Sequence, residues 1–180
     1  FIEIYNNTDS VKYADGMVIG ETRHQTTSGE NIYAKDMDEK TYLWTFYAIP
    51  GKNGEKNVPV EPGKSIVIAP QPIDHRENNS IDLRPPVSDY QWFDAYGSGQ
   101  FSIDVPDVPN LERYYSYSLS VWVVTVQMNR GFAIVQLPEG VDMETFVDEN
   151  LDTRLNTAGN PVISVGVPNE YILDAVELGY

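Results

Sequence analysis

The chain has 180 residues, no cysteine, and 12 Lys plus Arg against 27 Asp plus Glu, a formal charge of −15. The missing thiols exclude a disulfide framework, cysteine-ligated zinc or iron–sulfur sites and a thiol nucleophile. The charge, with no Lys/Arg cluster, excludes the phosphate neutralisation on which nucleic-acid binding draws and disfavours anionic membrane surfaces. At 41% hydrophobic and 12% aromatic, the chain still has the core formers of one folded domain over 1–180, not those of an acidic disordered tail.

Phe1-Ile2-Glu3-Ile4-Tyr5 reads as a strand, stopped by the turn formers Asn6-Asn7-Thr8-Asp9-Ser10. Asp15-Gly16 turns the chain into a short run, Met17 to Ile19, and the polar stretch 20–40 reads as a mobile loop. Thr41 to Ile49 carries aromatics on both alternating faces, which predicts one strand with little water on either side. Pro62-Gly63 suits the central positions of a type II turn and launches a strand over Ser65 to Ala69. The stretch 70–110 is irregular and proline-rich, and the region 70–118 is predicted as a decorated insertion over the core.

Leu119 to Met128 and Phe132 to Leu137, joined by Asn129-Arg130-Gly131, form the strongest hairpin pattern, and Val121 to Val126 is the longest nearly apolar run. That run is far short of the ~20 residues a membrane helix needs, so no insertion of this segment into a bilayer is expected. One short helix is predicted over 142–151: Asp142 caps it, and Met143, Phe146, Val147 and Leu151 share a face. Val162 to Val167 and Tyr171 to Glu177 close the chain as strands. Short strands between Pro, Gly and Asn turns predict an all-β sandwich or barrel. The acidity is concentrated at the end, where 131–180 holds nine acidic residues and one basic residue, Arg154.

The chemistry of a catalytic site is sparse. His24 and His75 both sit in polar loop sequence, and Gly97-Ser98-Gly99 lacks the spacing of a nucleophile elbow. Gly63-Lys64-Ser65 resembles the end of a phosphate loop, but Val58 replaces the first glycine and a strand follows where a helix is required. No cofactor is expected. Structural calcium is the one metal considered, with oxygens from Asp74 and Asp82 beside His75, or from Asp104, Asp107 and Asn110; turn-forming hydrogen bonds explain the same residues. Asp174, among Leu173, Ala175 and Val176, is a carboxylate whose apolar neighbours would raise its pKa.

Aromatics among polar turn formers mark the expected ligand patch: Tyr90, Trp92, Phe93 and Tyr96, with Tyr114 and Tyr115 and the nearby Tyr117. Such rings stack on sugars or anchor protein interfaces. Their plainer role is to seal the end of the sandwich under the long loops.

Three segments together resemble the lamin-tail domain, an immunoglobulin-like β-sandwich. They are the opening Phe1-Ile2-Glu3-Ile4-Tyr5-Asn6-Asn7-Thr8-Asp9 with Asp15-Gly16, the turn and strand Val60 to Ala69, and the closing Ile172-Leu173-Asp174-Ala175-Val176-Glu177. Asn79-Ser80-Ile81-Asp82-Leu83 and Asp107-Val108-Pro109-Asn110-Leu111 are similar to a group of bacterial lamin-tail-like proteins of unknown function from gut anaerobes. The resemblance implies a single immunoglobulin-like sandwich of the lamin-tail type with long loop insertions and one short helix. It also implies an extracytoplasmic, often lipid-anchored cell-surface or outer-membrane protein acting as a binding, adhesion or scaffold module. It supplies no catalytic residues.

The expected function is therefore non-enzymatic, with a glycan or protein as partner. The alternatives are a hydrolase acting on polysaccharide or peptide through Asp174 or the Asp82 region, and a structural spacer between domains. Both ends of the chain read as cuts in a longer protein.

Overall fold

A computed structural model describes residues 1–22, 31–93, 103–117 and 131–178. Its strands are β1 (Ile2–Tyr5), β2 (Lys12–Tyr13), β3 (Val18–Glu21), β4 (Lys40–Leu43), β5 (Thr45–Ala48), β6 (Pro59–Val60), β7 (Ser65–Ala69), β8 (Tyr90–Gln91) and β9 (Glu112–Ser116). They continue with β10 (Gly131–Val135), the helix α1 (Met143–Glu149), β11 (Leu151–Leu155), β12 (Pro161–Pro168) and β13 (Ile172–Glu177). The fold is all-β and sandwich-like. A five-stranded sheet in the order β13-β10-β3-β5-β9 forms the middle layer. A three-stranded sheet β1-β7-β8 contributes to the core on one face, and a second, β11-β12-β4, joins α1 on the other.

The two-residue period of a strand explains how one middle sheet serves two cores. Ile19, Tyr47 and Phe132 face a core shared with Ile66 and Ile68 of β7. Their immediate neighbours Val18, Phe46, Ala48 and Ala133 face a second core shared with Val165 and Val167 of β12 and with Met143 and Val147 of α1. The aromatic run Thr41 to Ile49 is dry on both sides for this reason, but it is not one strand. It breaks at Trp44, with β4 in an outer sheet and β5 in the middle one.

Several local expectations hold. Gly63 has φ of +71° and the Lys64 N–H donates to Glu61 O at 3.0 Å, closing the Pro62-Gly63 turn. Asp142 caps α1 by accepting from the Thr145 N–H and hydroxyl, both at 3.0 Å. Leu151 is not helical as expected: Asn150 donates from its N–H and its side chain to Phe146 O, ending the helix, and Leu151 starts β11.

The stretch 20–40 expected as a mobile loop is instead tied down where it is described: Gly20 and Glu21 belong to β3, Lys40 opens β4, and 31–39 is held by side chains. The Tyr33 ring is buried, stacks on Tyr42 at 4.0 Å and its hydroxyl lies 2.9 Å from Ser164 Oγ. Arg154 covers both rings, at 4.6 and 4.9 Å, while pairing with Asp36 and Asp152. The excursion after β7 is organised by Gln91, whose buried amide donates to Pro70 O and Ile103 O and accepts from the Val105 N–H. The expected hairpin strand Leu119 to Met128 lies outside the described residues apart from its partner, which is β10.

Candidate functional site: an aromatic cleft at a sheet corner

Trp44 stands where the chain leaves β4 for β5. Its N–H donates to Glu21 O at 2.7 Å and its carbonyl accepts from the Tyr117 N–H at 2.9 Å, so the corner is fastened to both neighbouring segments. Tyr117 follows β9 and stacks on the Trp44 indole, with ring centroids 4.0 Å apart. Tyr115, two residues earlier, donates its hydroxyl to Ile163 O at 3.0 Å and so ties β9 to β12. Burial, followed by the nearby Tyr33, pushes the Tyr115 phenol up from its ordinary value, keeping it a neutral donor at physiological pH.

These rings line an open cleft of about 330 Å³ with Asn156, Pro161 and Ile163. Asn156 begins the turn between β11 and β12. Its side-chain oxygen accepts from the Ala158 N–H at 3.0 Å and the Asn160 N–H at 2.9 Å. The amide oxygen is thereby committed to the turn, which leaves Nδ2 as the donor of this cleft-lining side chain. Tyr117 remains 41% exposed. The site thus combines a rigid aromatic surface with one amide donor.

The expected ligand patch is divided by the fold. Tyr90 and Trp92 pack against the core beneath β7, whereas Tyr114 and Tyr115 pack against the core on the opposite face of the middle sheet. Trp92 is 2% exposed, between Tyr47 at 5.2 Å and Phe132 at 6.4 Å, and has no face for a ligand. Phe93 is half-buried and Tyr96 lies outside the described residues. Tyr90 is half-buried, its phenol pushed up by burial and then by Asp89. Tyr114 donates to Glu112 Oε2 at 2.8 Å, and burial followed by that bond raises it above the ordinary tyrosine range. Trp44 and Asn156 were missed from sequence. An aromatic inside a strand pattern reads as core, and only the sheet switch turns this one to the surface.

Three of the oxygen donors considered for calcium, Asp74, Asp82 and Asp104, have partners of their own. The half-buried Asp74 and Asp82 pair with Arg76 and Arg84, whose hydrogen bonds hold both carboxyls below the usual carboxylate range. Asp104 accepts from Asn110 Nδ2 at 3.0 Å. Among the described residues no group of three or more His, Cys, Asp or Glu is placed to hold a metal. Asp174 is exposed and accepts the Ala175 N–H at 2.8 Å, so the apolar burial expected around it is absent. No helix among the described residues is long and apolar enough to cross a membrane.

A family described as "Protein of unknown function (DUF4876)" matches residues 61–180. The chain belongs to this family. A crystal structure of a DUF4876 family protein from Bacteroides thetaiotaomicron is similar over 97% of this chain, with a TM-score of 0.72 and 21% identity. At that identity the likeness concerns the fold alone. The chain spans 46% of the solved protein's length. No curated protein matches the sequence.

Proposed function

We propose that this DUF4876 domain is a non-catalytic, lamin-tail-like carbohydrate-binding module of a bacterial cell-surface protein, and that Tyr117, Trp44 and Asn156 hold the sugar. The observation that carries the reading is the stacked Trp44–Tyr117 pair beside an amide whose oxygen is already occupied. A pyranose offers an apolar face of C–H groups to a ring and hydroxyls to a fixed donor, so the two features match one ligand class. The formal charge of −15 favours neutral glycans over uronic or sulfated ones. The surface location follows the family resemblance and is part of the proposal.

A neutral glycan array, followed by calorimetry on the best binder, tests this. Tyr117→Ala is expected to weaken binding by about tenfold, the loss of about 1.4 kcal/mol, while the lost stack on Trp44 lowers the melting temperature by only about 2–4 °C. Asn156→Asp keeps the turn's acceptor and replaces the donor, and is expected to weaken binding as well. Absence of any binder, or binding that survives Tyr117→Ala, overturns the reading.

A further inference from the structure

We infer a second binding surface, independent of the aromatic cleft: a groove between β1 and β13 that receives an extended, basic peptide as an added strand along β1. The groove measures about 810 Å³, within the range of ligand sites, and among the described residues both strands beside it are outermost in their sheets.

The main chain of β1 is the receiving edge. In its antiparallel register with β7, Glu3 is opposite Val67. The Val67 N–H donates to Asp89 Oδ2 and its carbonyl accepts from the Asp89 N–H, so the Val67 main chain points away from β1. Glu3 is then in a non-hydrogen-bonded pair, and its N–H and C=O point out from the sheet, as do those of Tyr5 two residues on. None of these four groups has a hydrogen-bond partner among the described residues. The alternate side chains Ile2 and Ile4 face the core, while Ile66, Met17 and Ile134 line the groove. An added strand with every second residue apolar would cover that lining.

The opposite edge is guarded. The β13 register shifts between Ile134 and Val135, leaving Leu173 as an extra, exposed residue of a bulge, and the Asp174 carboxylate takes the Ala175 N–H. Bulges and charges of this kind block strand addition. β1 has neither a bulge nor a proline.

Charge selects the occupant. The groove lining carries the carboxylates Glu3 and Asp174 against one cation, Lys12, and Glu3 is positioned by the Ser65 hydroxyl at 2.6 Å. A strand pairing with β1 places side chains beside Glu3, where a Lys or Arg is favoured and a carboxylate repelled. A second copy of this chain is disfavoured, because each copy carries −15 and would present Glu3 again. The partner is therefore an extended segment alternating apolar and basic residues.

The test uses a labelled Val-Lys-Val-Lys-Val-Lys-Val peptide and its Val-Glu counterpart, read by fluorescence anisotropy, with hydrogen exchange followed at single amides. The basic peptide is expected to bind at least about fivefold tighter than the acidic one, and to slow exchange at the Glu3 and Tyr5 amides. Glu3→Lys is expected to invert the preference. Glu3→Pro removes one outward N–H while leaving the inward bonds of Ile2 and Ile4 to β7, and is expected to lose binding; if it does not fold, Glu3→Lys and the exchange pattern decide. No binding of the basic peptide, equal binding of both peptides, insensitivity to Glu3→Lys, or protection without Glu3 and Tyr5 overturns the inference. Dimerisation through β1 seen by sedimentation also overturns it.

Discussion

Replacing Trp92 with alanine separates the two roles that aromatic sequence can suggest, ligand platform and core. Trp92 follows β8, its N–H donating to Ala69 O at 3.0 Å, and its ring lies against Tyr47 of β5 and Phe132 of β10. It therefore packs between two sheets. An aromatic side chain of this kind buries about 150–250 Å², worth roughly 4–6 kcal/mol at about 25 cal/mol per Å². Buried aromatic-to-alanine changes cost about 3–5 kcal/mol. Taking about 4 kcal/mol, and about 2–4 °C per kcal/mol for a domain of this size, Trp92→Ala should lower the melting temperature by roughly 8–16 °C. Trp92→Phe, which retains a ring between Tyr47 and Phe132, should lower it by much less. The assay is thermal unfolding followed by near-ultraviolet circular dichroism, with glycan binding measured at a temperature where the variant is folded. A melting temperature within about 3 °C of the parent, or loss of glycan binding with stability intact, would refute the core placement.

Two further predictions follow from local geometry. A Cβ added at Gly20 would stand 2.6 Å from both Leu43 Cδ1 and Thr45 O, and the latter is main chain that cannot step aside. Gly20→Ala should thus cost about 1–3 kcal/mol, read as a lower urea midpoint; an unchanged midpoint would refute the close approach of β3 to the β4–β5 corner. The second concerns acid. Asp74, Asp82 and Asp142 are each held below the usual carboxylate range, by Arg76, Arg84 and Thr145 respectively. Their stabilisation is complete above the unfolded value of about 3.9 and is lost as pH falls through the lower folded values. Stability should therefore decline below about pH 4, and Arg84→Ala should make that decline shallower while lowering stability at neutral pH. Because these groups are reached by solvent, fully at Asp142 and in part at Asp74 and Asp82, added salt should shrink the difference. An acid limb that Arg84→Ala leaves unchanged would contradict the pairing.

Legibility in the sequence followed the range of the interaction. The Pro62-Gly63 turn, the Asp142 cap and the strand identity of Ser65 to Ala69 depend on neighbours a few residues away, and residue type alone indicates them. Tyr33 was unreadable, because the ring sits in polar sequence and is buried by Tyr42, Ser164 and Arg154, the last two more than a hundred residues distant. Asp174 was misread for the converse reason: its apolar neighbours in sequence lie on an edge strand, where they too are exposed.

Composition and pattern determined an all-β chain, acidic towards its end, without thiol chemistry and with one capped helix. Tertiary structure decided how the aromatics divide between core and surface. Alternation along a strand defines two faces but not what covers each one, and the packing of other sheets against the middle sheet answers that. It also decided that Thr41 to Ile49 bends at Trp44 and that, among the described residues, no strand pairs with the outer edge of β1. Both outcomes depend on which distant strands pair, and pairing is a property of the assembled sheets, not of any one segment.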